Sequence, residues 1–300
     1  MSSSPGQPAP IHVPVLLRET LQHLALEPGL TVVDGTVGAG GHSREILKRI
    51  GPTGTLIGLD RDPLMLKHAA TRVSGANVHL VQSSYAGLPD VLAQLAIPAV
   101  DRILLDLGYS SDQLADESRG FSFQAVGPLD LRFDVRQGEP IRNWLLRVSA
   151  NELADVLRKY GEEPFADRIA EAIVQQRESI VTAADLARAV EAALPPHIQK
   201  SARREPATRV FQALRIQAND ELGQLERALS QVLYGALRPG GLVVVISFHS
   251  LEDRLVKQAF RDSERWQILN HKPVTATSTE QKVNPRSRTA KLRAAKKNGP

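Results

Sequence analysis

Leu30-Thr31-Val32-Val33-Asp34-Gly35-Thr36-Val37-Gly38-Ala39-Gly40-Gly41-His42-Ser43 decides how the rest of the chain is read. A short apolar run stops at an acid. A glycine-rich turn follows, and a helical pattern opens at Ser43-Ile50. A glycine loop between a strand and a helix is the context in which backbone packs against a nucleoside. Asp60 closes the next apolar run, 19 residues after Gly41, where a carboxylate accepts hydrogen bonds from a ribose diol.

The surrounding chain repeats the motif's architecture. Leu30-Val33, Thr55-Leu59, Val78-Val81 and Arg102-Leu105 are short, continuously apolar runs that each stop at a polar residue. Helical spacing fills the gaps, as in Pro63-Val73. Strand-helix alternation with continuously apolar strands predicts a parallel sheet covered on both faces, an α/β Rossmann-like core. Gly241-Ser247 returns to strand character after Pro239-Gly240, and Trp266-Asn270 and Thr289-Ala294 are candidate further strands. Between them the chain is loop-like over 115–133 and helical over about 140–205. Ser149…Glu152 and Thr182…Asp185 have the spacing of capping boxes. The expected organisation is a core of 11–135 and 206–300, a helical insert at 136–205, and a flexible Ser/Pro-rich arm at 1–10.

Composition narrows the chemistry. The 300 residues are 42% hydrophobic and 23% charged, ordinary for a globular protein. No apolar run approaches the roughly 18 residues of a membrane span, and the start lacks a signal peptide's apolar stretch, so a cytoplasmic, membrane-free protein is expected. There is no cysteine, which excludes disulfides, iron–sulfur clusters and thiolate nucleophiles from this chain. The histidines show no ligand spacing, so no metal site is expected. Net charge is +4, yet Lys282, Arg286, Arg288, Lys291, Arg293, Lys296 and Lys297 lie in an acid-free stretch that carries all of the excess. Such a run suits a phosphate backbone; a solvated tail is the other reading.

Which nucleoside the loop holds is decided by charge. A pyrophosphate wants a helix N-terminus without adjacent acids. Here the strands end at Asp34, Asp60 and Asp106, and Ser43 stands where a dinucleotide fingerprint has its third glycine. Acid-lined strand ends suit the cationic sulfonium of S-adenosylmethionine, although Asp34 and Asp60 also fit as turn caps. Asp106-Leu107-Gly108-Tyr109 then emerges beside the donor. An exocyclic amine is poorly nucleophilic, and a carboxylate accepting its N–H helps the nitrogen pyramidalise. Asp106 suits that catalytic role, unless it only forms the turn, and Tyr109 is a candidate for stacking a splayed base.

Further blocks sharpen this. His12-Val13-Pro14-Val15-Leu16, Arg119-Gly120-Phe121-Ser122-Phe123, Gly127-Pro128-Leu129-Asp130-Leu131-Arg132, the stretch Pro206 to Ile216, Ser247-Phe248-His249-Ser250-Leu251-Glu252-Asp253-Arg254 and Asn284-Pro285-Arg286-Ser287-Arg288 occur in order. Over about His12 to Arg293 the chain resembles the bacterial 16S ribosomal RNA cytosine-N4 methyltransferase family (RsmH, also called MraW). The resemblance implies a class I methyltransferase sheet and methyl transfer from S-adenosyl-L-methionine to N4 of a cytidine in the decoding region of 16S rRNA. It implies donor contacts from Gly40, Gly41, His42, Asp60, Tyr85, Asp106 and Gln113. Relatives often carry valine at Tyr109. A small ribosomal subunit or assembly intermediate is the implied partner, and a homodimer is left open.

Other residues keep two readings each. His249 is placed to touch RNA or relay a proton, while Ser250 and Asp253 have capping-box spacing. Thr208, Gln212, Arg215 and Asn219 share a helix face that, with Lys200, Arg203, Arg204 and Arg209, suits RNA or plain solvent. Asp130 and Arg132 are a candidate internal pair. A nicotinamide-dependent oxidoreductase and a non-catalytic RNA-binding protein are the competing classes. The missing third glycine argues against the first, and the presence of Gly40, Asp60 and Asp106 against the second.

Overall fold

The computed structural model describes residues 14–201 and 207–299. The expected arm at 1–10, the start of the His12-Val13 block, Arg203, Arg204 and the insert boundary at 205/206 lie outside the described residues, as does the side chain of Lys200. In chain order the first elements are α1 (Leu17–Leu24), β1 (Thr31–Asp34), α2 (Gly41–Ile50), β2 (Thr55–Asp60), α3 (Pro63–Ala70), β3 (Val78–Gln82), α4 (Leu88–Gln94) and β4 (Val100–Asp106). Next come the helices α5 (Ser111–Ala115), α6 (Ile141–Arg147), α7 (Ala150–Gly161), α8 (Ala166–Gln175), α9 (Ala183–Ala193), α10 (Pro196–Ser201), α11 (Thr208–Asn219), α12 (Glu221–Arg227) and α13 (Leu233–Ala236). The chain closes with β5 (Leu237–Ser247), α14 (Ser250–Ala259), β6 (Trp266–Ile268), α15 (Ser278–Val283) and β7 (Lys291–Lys297).

Two compact units share the chain: 1–60, 64–108 and 229–300 in the first, 61–63 and 109–228 in the second. The first is a seven-stranded sheet in the order β3-β2-β1-β4-β5-β7-β6. β3, β2, β1, β4 and β5 run parallel, and β7 joins β5 and β6 antiparallel. This is the α/β Rossmann-like sheet that the strand pattern predicts. The order reverses between β1 and β4, so Asp34 and Asp106 end strands on either side of the switch point, where open α/β sheets bind ligands.

Pleating explains why these strands read as unbroken apolar runs. Val32, Leu56, Leu104, Val244, Ile246, Leu292 and Ala294 share one core with Leu21, Leu24, Ile46 and Ile50 of α1 and α2. Val33, Ile57, Ile103, Leu105, Val243 and Val245 alternate with them and are equally buried. The basic C-terminal stretch is partly inside this sheet rather than a free tail. Arg293 is buried and pairs with Asp253 of α14, at 2.6 Å from Nε to Oδ1. Lys297 Nζ donates to the carbonyls of Tyr234 and Leu237. The strand expected at Thr289-Ala294 runs from Lys291 to Lys297, starting two residues later and ending three later, because Thr289 closes a 3-10 turn.

The second unit is helical. Its core gathers Phe121, Leu129 and Leu131 with Leu153 and Leu157 of α7, Ile169 and Ile173 of α8, Leu186 and Val190 of α9, and Val210 and Leu214 of α11. It reaches beyond the expected 136–205 on both sides, because the loop aromatics and the apolar face of α11 belong to that same core. Both expected capping boxes form, Ser149 with Glu152 and Thr182 with Asp185. Arg132 grips Asp130 bidentately at 2.7 and 2.8 Å. The polar face of α11 points inward, against its expected use. Arg215 is buried on Glu221, Gln212 Nε2 donates to the Tyr160 carbonyl, and Asn219 bonds the backbone of Leu131 and Phe133. Among the described residues no helix is long and apolar enough to cross a membrane.

Candidate active site

The loop after β1 is held by its own acids. Ser43 Oγ donates to Asp34 Oδ2 at 2.7 Å and the Thr36 N–H reaches Oδ1 at 3.3 Å. Asp34 is fully enclosed, and burial raises its carboxyl above the usual range against the opposing pull of His42. It therefore clamps the turn from beneath, and Ser43 replaces a third glycine because its hydroxyl completes that clamp. Asp60, at the end of β2, takes the Gly38 N–H on Oδ2 at 2.9 Å. That bond sets the loop against the strand that the sequence pairs with a ribose.

The glycines serve close packing of the chain on itself. Gly40 has φ +84°, and a Cβ there would meet Val73 Cγ2 at 2.9 Å; one on Gly41 would meet Pro14 Cγ at 2.7 Å. Both positions therefore need glycine for the protein's own packing, whatever the backbone also touches. At Gly38 a Cβ would make only an ordinary contact, with the Thr36 carbonyl at 3.9 Å. Tyr85 begins a 3-10 turn capped by Ser84, and its Cβ lies 3.0 Å from where a Cβ on Gly35 would stand.

Asp34 and Asp106 lie on the same pleat side as Leu104 and Val32, the side that α2 covers. His42, in the first turn of α2, consequently sits between them. Its Nε2 lies 3.1 Å from the Val15 carbonyl, and its Nδ1 lies 3.5 Å from Asp106 Oδ2. The ring is only 6% exposed, and burial lowers its pKa, opposed chiefly by Asp34. The Asp106 N–H donates to Thr36 Oγ1 at 2.6 Å. Its Oδ1 is buried without a hydrogen-bond partner. Burial pushes this carboxyl up to about 7, with Arg286 opposing and Glu252 adding to the rise. A buried, unsatisfied carboxylate oxygen at a ligand-binding sheet edge is a functional signal with a physical cost.

Six of the seven expected site residues, Gly40, Gly41, His42, Asp60, Tyr85 and Asp106, belong to the first unit. Gln113 belongs to the second, where its side chain is committed. Its Oε1 accepts the Ser110 N–H at 2.8 Å and its Nε2 donates to the fully buried Asp62 at 2.9 Å. Arg119 Nη2 meets the same carboxylate at 3.1 Å. Tyr109, also in that unit, stacks on Phe121 at 5.7 Å and lies under the Arg215 guanidinium at 4.8 Å, so its ring is engaged by the protein and not offered to a base. The helix cap at the Ser-Phe-His-Ser block shifts by one residue. His249, not Ser250, is the N-cap, and Glu252 returns the bond to its backbone. His249 is enclosed, with Nε2 3.2 Å from Glu252 Oε1 but without a hydrogen-bond partner. Asp253 faces Arg293 and Lys291 instead of the cap.

Three roles were missed: Thr36 takes the Asp106 N–H, Val15 holds the His42 ring, and Glu252 adds to the rise of the Asp106 carboxyl. Each lay in a quoted block, but no spacing rule links it to its partner. Among the described residues no three acidic or histidine side chains cluster to hold a metal.

The profile of the MraW methylase family matches residues 9–298. A relative from Nitratidesulfovibrio vulgaris (strain DSM 19637 / Miyazaki F), named ribosomal RNA small subunit methyltransferase H, is 46% identical over 321 residues, covering 99% of this chain and 88% of its own. The protein of the same name from Sorangium cellulosum (strain So ce56) is 47% identical over 292 residues, covering 96% and 91%. That from Trichlorobacter lovleyi is 44% identical, covering 96% and 98%. With a switch-point carboxylate, a clamped glycine loop and near-complete coverage in agreement, the chain belongs to the MraW methylase family.

Proposed function

We infer that the chain transfers a methyl group from S-adenosylmethionine to small-subunit ribosomal RNA, at N4 of a cytidine in the decoding region of 16S rRNA. The observation that carries the mechanism is the buried, unpartnered Oδ1 of Asp106 at the carboxyl edge of the sheet. An amine N–H satisfies that oxygen, and accepting it raises electron density on a nitrogen whose lone pair is otherwise drawn into the ring. The donor supplies an electrophilic methyl on a cationic sulfur. Asp60 suits the ribose hydroxyls, and its Oδ2 already orders the loop through Gly38. The amides of Gly41 and His42, in the first turn of α2, suit the donor's carboxylate. Tyr85 is assigned to the adenine side. Gln113 acts indirectly, since its Oε1 is spent on the Ser110 N–H and its Nε2 on Asp62.

The same reading puts the protein in the cytoplasm, acting on a small ribosomal subunit or an assembly intermediate. Mass spectrometry of nucleosides from 16S rRNA, with naked RNA and reconstituted subunits as separate substrates, tests it. Methyl gain at cytidine N4 is expected. Gain at adenosine or at a ring carbon, or none with either substrate, overturns it.

A further inference from the structure

We propose that His42 is the proton partner of Asp106, passing a proton on its Nδ1 side while Asp106 collects one from the target amine on Oδ1. This rests on the reading of Asp106 given above. The Val15 carbonyl only accepts, so the Nε2 that faces it at 3.1 Å carries the ring hydrogen. In the neutral ring Nδ1 is then a lone pair, and it faces Asp106 Oδ2 at 3.5 Å. Two acceptors are thus set against each other in a buried place, an arrangement that holds one proton between them far better than none. Catalytic contacts of this kind are often long before substrate binds and shorten afterwards. The remaining oxygen, Oδ1, is buried without a hydrogen-bond partner, so a substrate amine meets it once RNA binding uncovers it.

The step balances with that single resident proton. The N4 lone pair forms the C–N bond as the methyl–sulfur bond breaks, and that bonding pair stays on sulfur. N4, now cationic, gives one proton to Asp106 Oδ1 while the proton at Oδ2 moves to His42 Nδ1. Asp106 ends neutral and His42 ends as an imidazolium, which returns its proton to water as product leaves. The charged groups around the pair suit this traffic. Asp34 and Glu280 favour the imidazolium. Arg286 and Glu252 act on Asp106 with opposite signs.

His42 is a positioning residue here, since it acts through Asp106, and the test needs a readout beyond lost activity. His42→Gln keeps an N–H for Val15 but removes the group that takes the proton. Single-turnover methyl transfer to small-subunit rRNA, at saturating S-adenosylmethionine, is followed from about pH 6 to 9 in the wild type, His42→Gln and Asp106→Asn. Donor affinity is measured by calorimetry. The expected result for His42→Gln is donor affinity within about threefold, a rate at least roughly tenfold lower, and loss of the wild type's decline at high pH, where the shared proton dissociates. A wild-type rate and high-pH decline in His42→Gln, with Asp106→Asn still impaired, overturns the relay alone. A wild-type rate in Asp106→Asn overturns both readings. Should His42→Gln not fold, nitrogen NMR of the wild-type ring decides: hydrogen on Nε2 and a titrating Nδ1 are expected, and hydrogen fixed on Nδ1 refutes the pairing.

Discussion

Asp106→Asn should make the protein more stable and nearly inactive at the same time. The carboxyl is pushed from 3.8 to about 7 in the fold, chiefly by burial. A raised pKa on an acid means that the folded state resists its ionisation. Below about pH 4 both folded and unfolded chains are protonated and nothing is lost. Between there and about pH 7 the unfolded chain ionises while the folded one does not, so the penalty grows with pH. Above about 7 it is complete. At about 1.36 kcal/mol for each pKa unit the ceiling is roughly 4 kcal/mol. The side chain is 24% exposed, so solvent relieves part of the burial, and about 2 kcal/mol is expected.

Asparagine keeps the shape, carries no charge, and offers an N–H toward His42 Nδ1. For a unit of this size about 2 kcal/mol corresponds to a melting temperature roughly 4–8 °C higher. Scanning fluorimetry of the protein without donor should show that gap at pH 8, shrinking to about half of it near pH 4.5. The single-turnover rate at pH 8 should fall by about 10²–10⁴-fold. An equally or less stable variant at pH 8 would refute the burial argument, and a retained rate would refute the catalytic one.

Other outcomes follow from the same contacts. Asp60→Ala should weaken S-adenosylmethionine binding by about 1.5–3 kcal/mol in calorimetry, since a charged acceptor is lost and Gly38 loses its anchor. Arg293→Ala should cost about 1.5–3 kcal/mol in urea denaturation, because the half-buried Asp253 carboxylate loses its charge-assisted bonds and keeps only Lys291. Replacing Lys282 and Lys296 with glutamine should instead leave stability within about 0.5 kcal/mol and flatten the salt dependence of rRNA binding, each phosphate contact removed lowering the slope by about one.

The sheet was legible because both of its faces are buried. Val32-Val33, Leu56-Ile57 and Leu104-Leu105 each put one side chain into either core, which leaves a continuous apolar run that nothing else in the chain imitates. The capping boxes were legible because their partners lie three residues apart. Polarity on α11 misled for the opposite reason. Arg215 and Asn219 look like a solvent face until Glu221 and the backbone of 131–133 are known to await them, and those partners are distant in sequence or outside the periodic pattern. The basic tail misled in the same way, since Arg293 is explained by Asp253, 40 residues earlier. Tyr109 belonged with Phe121 and Arg215, whose nearness to it no spacing rule supplies.

The glycine loop has a packing role that the motif alone does not reveal. Val73 and Pro14 occupy the space that a Cβ on Gly40 or Gly41 would take. The tightness of that packing brings α2 down onto the ends of β1 and β4, and so delivers His42 to Asp106. A Cβ at Gly41 would displace Pro14, one residue from the Val15 carbonyl that fixes the His42 ring. The loop's composition therefore decides which side chain faces a carboxylate more than sixty residues away.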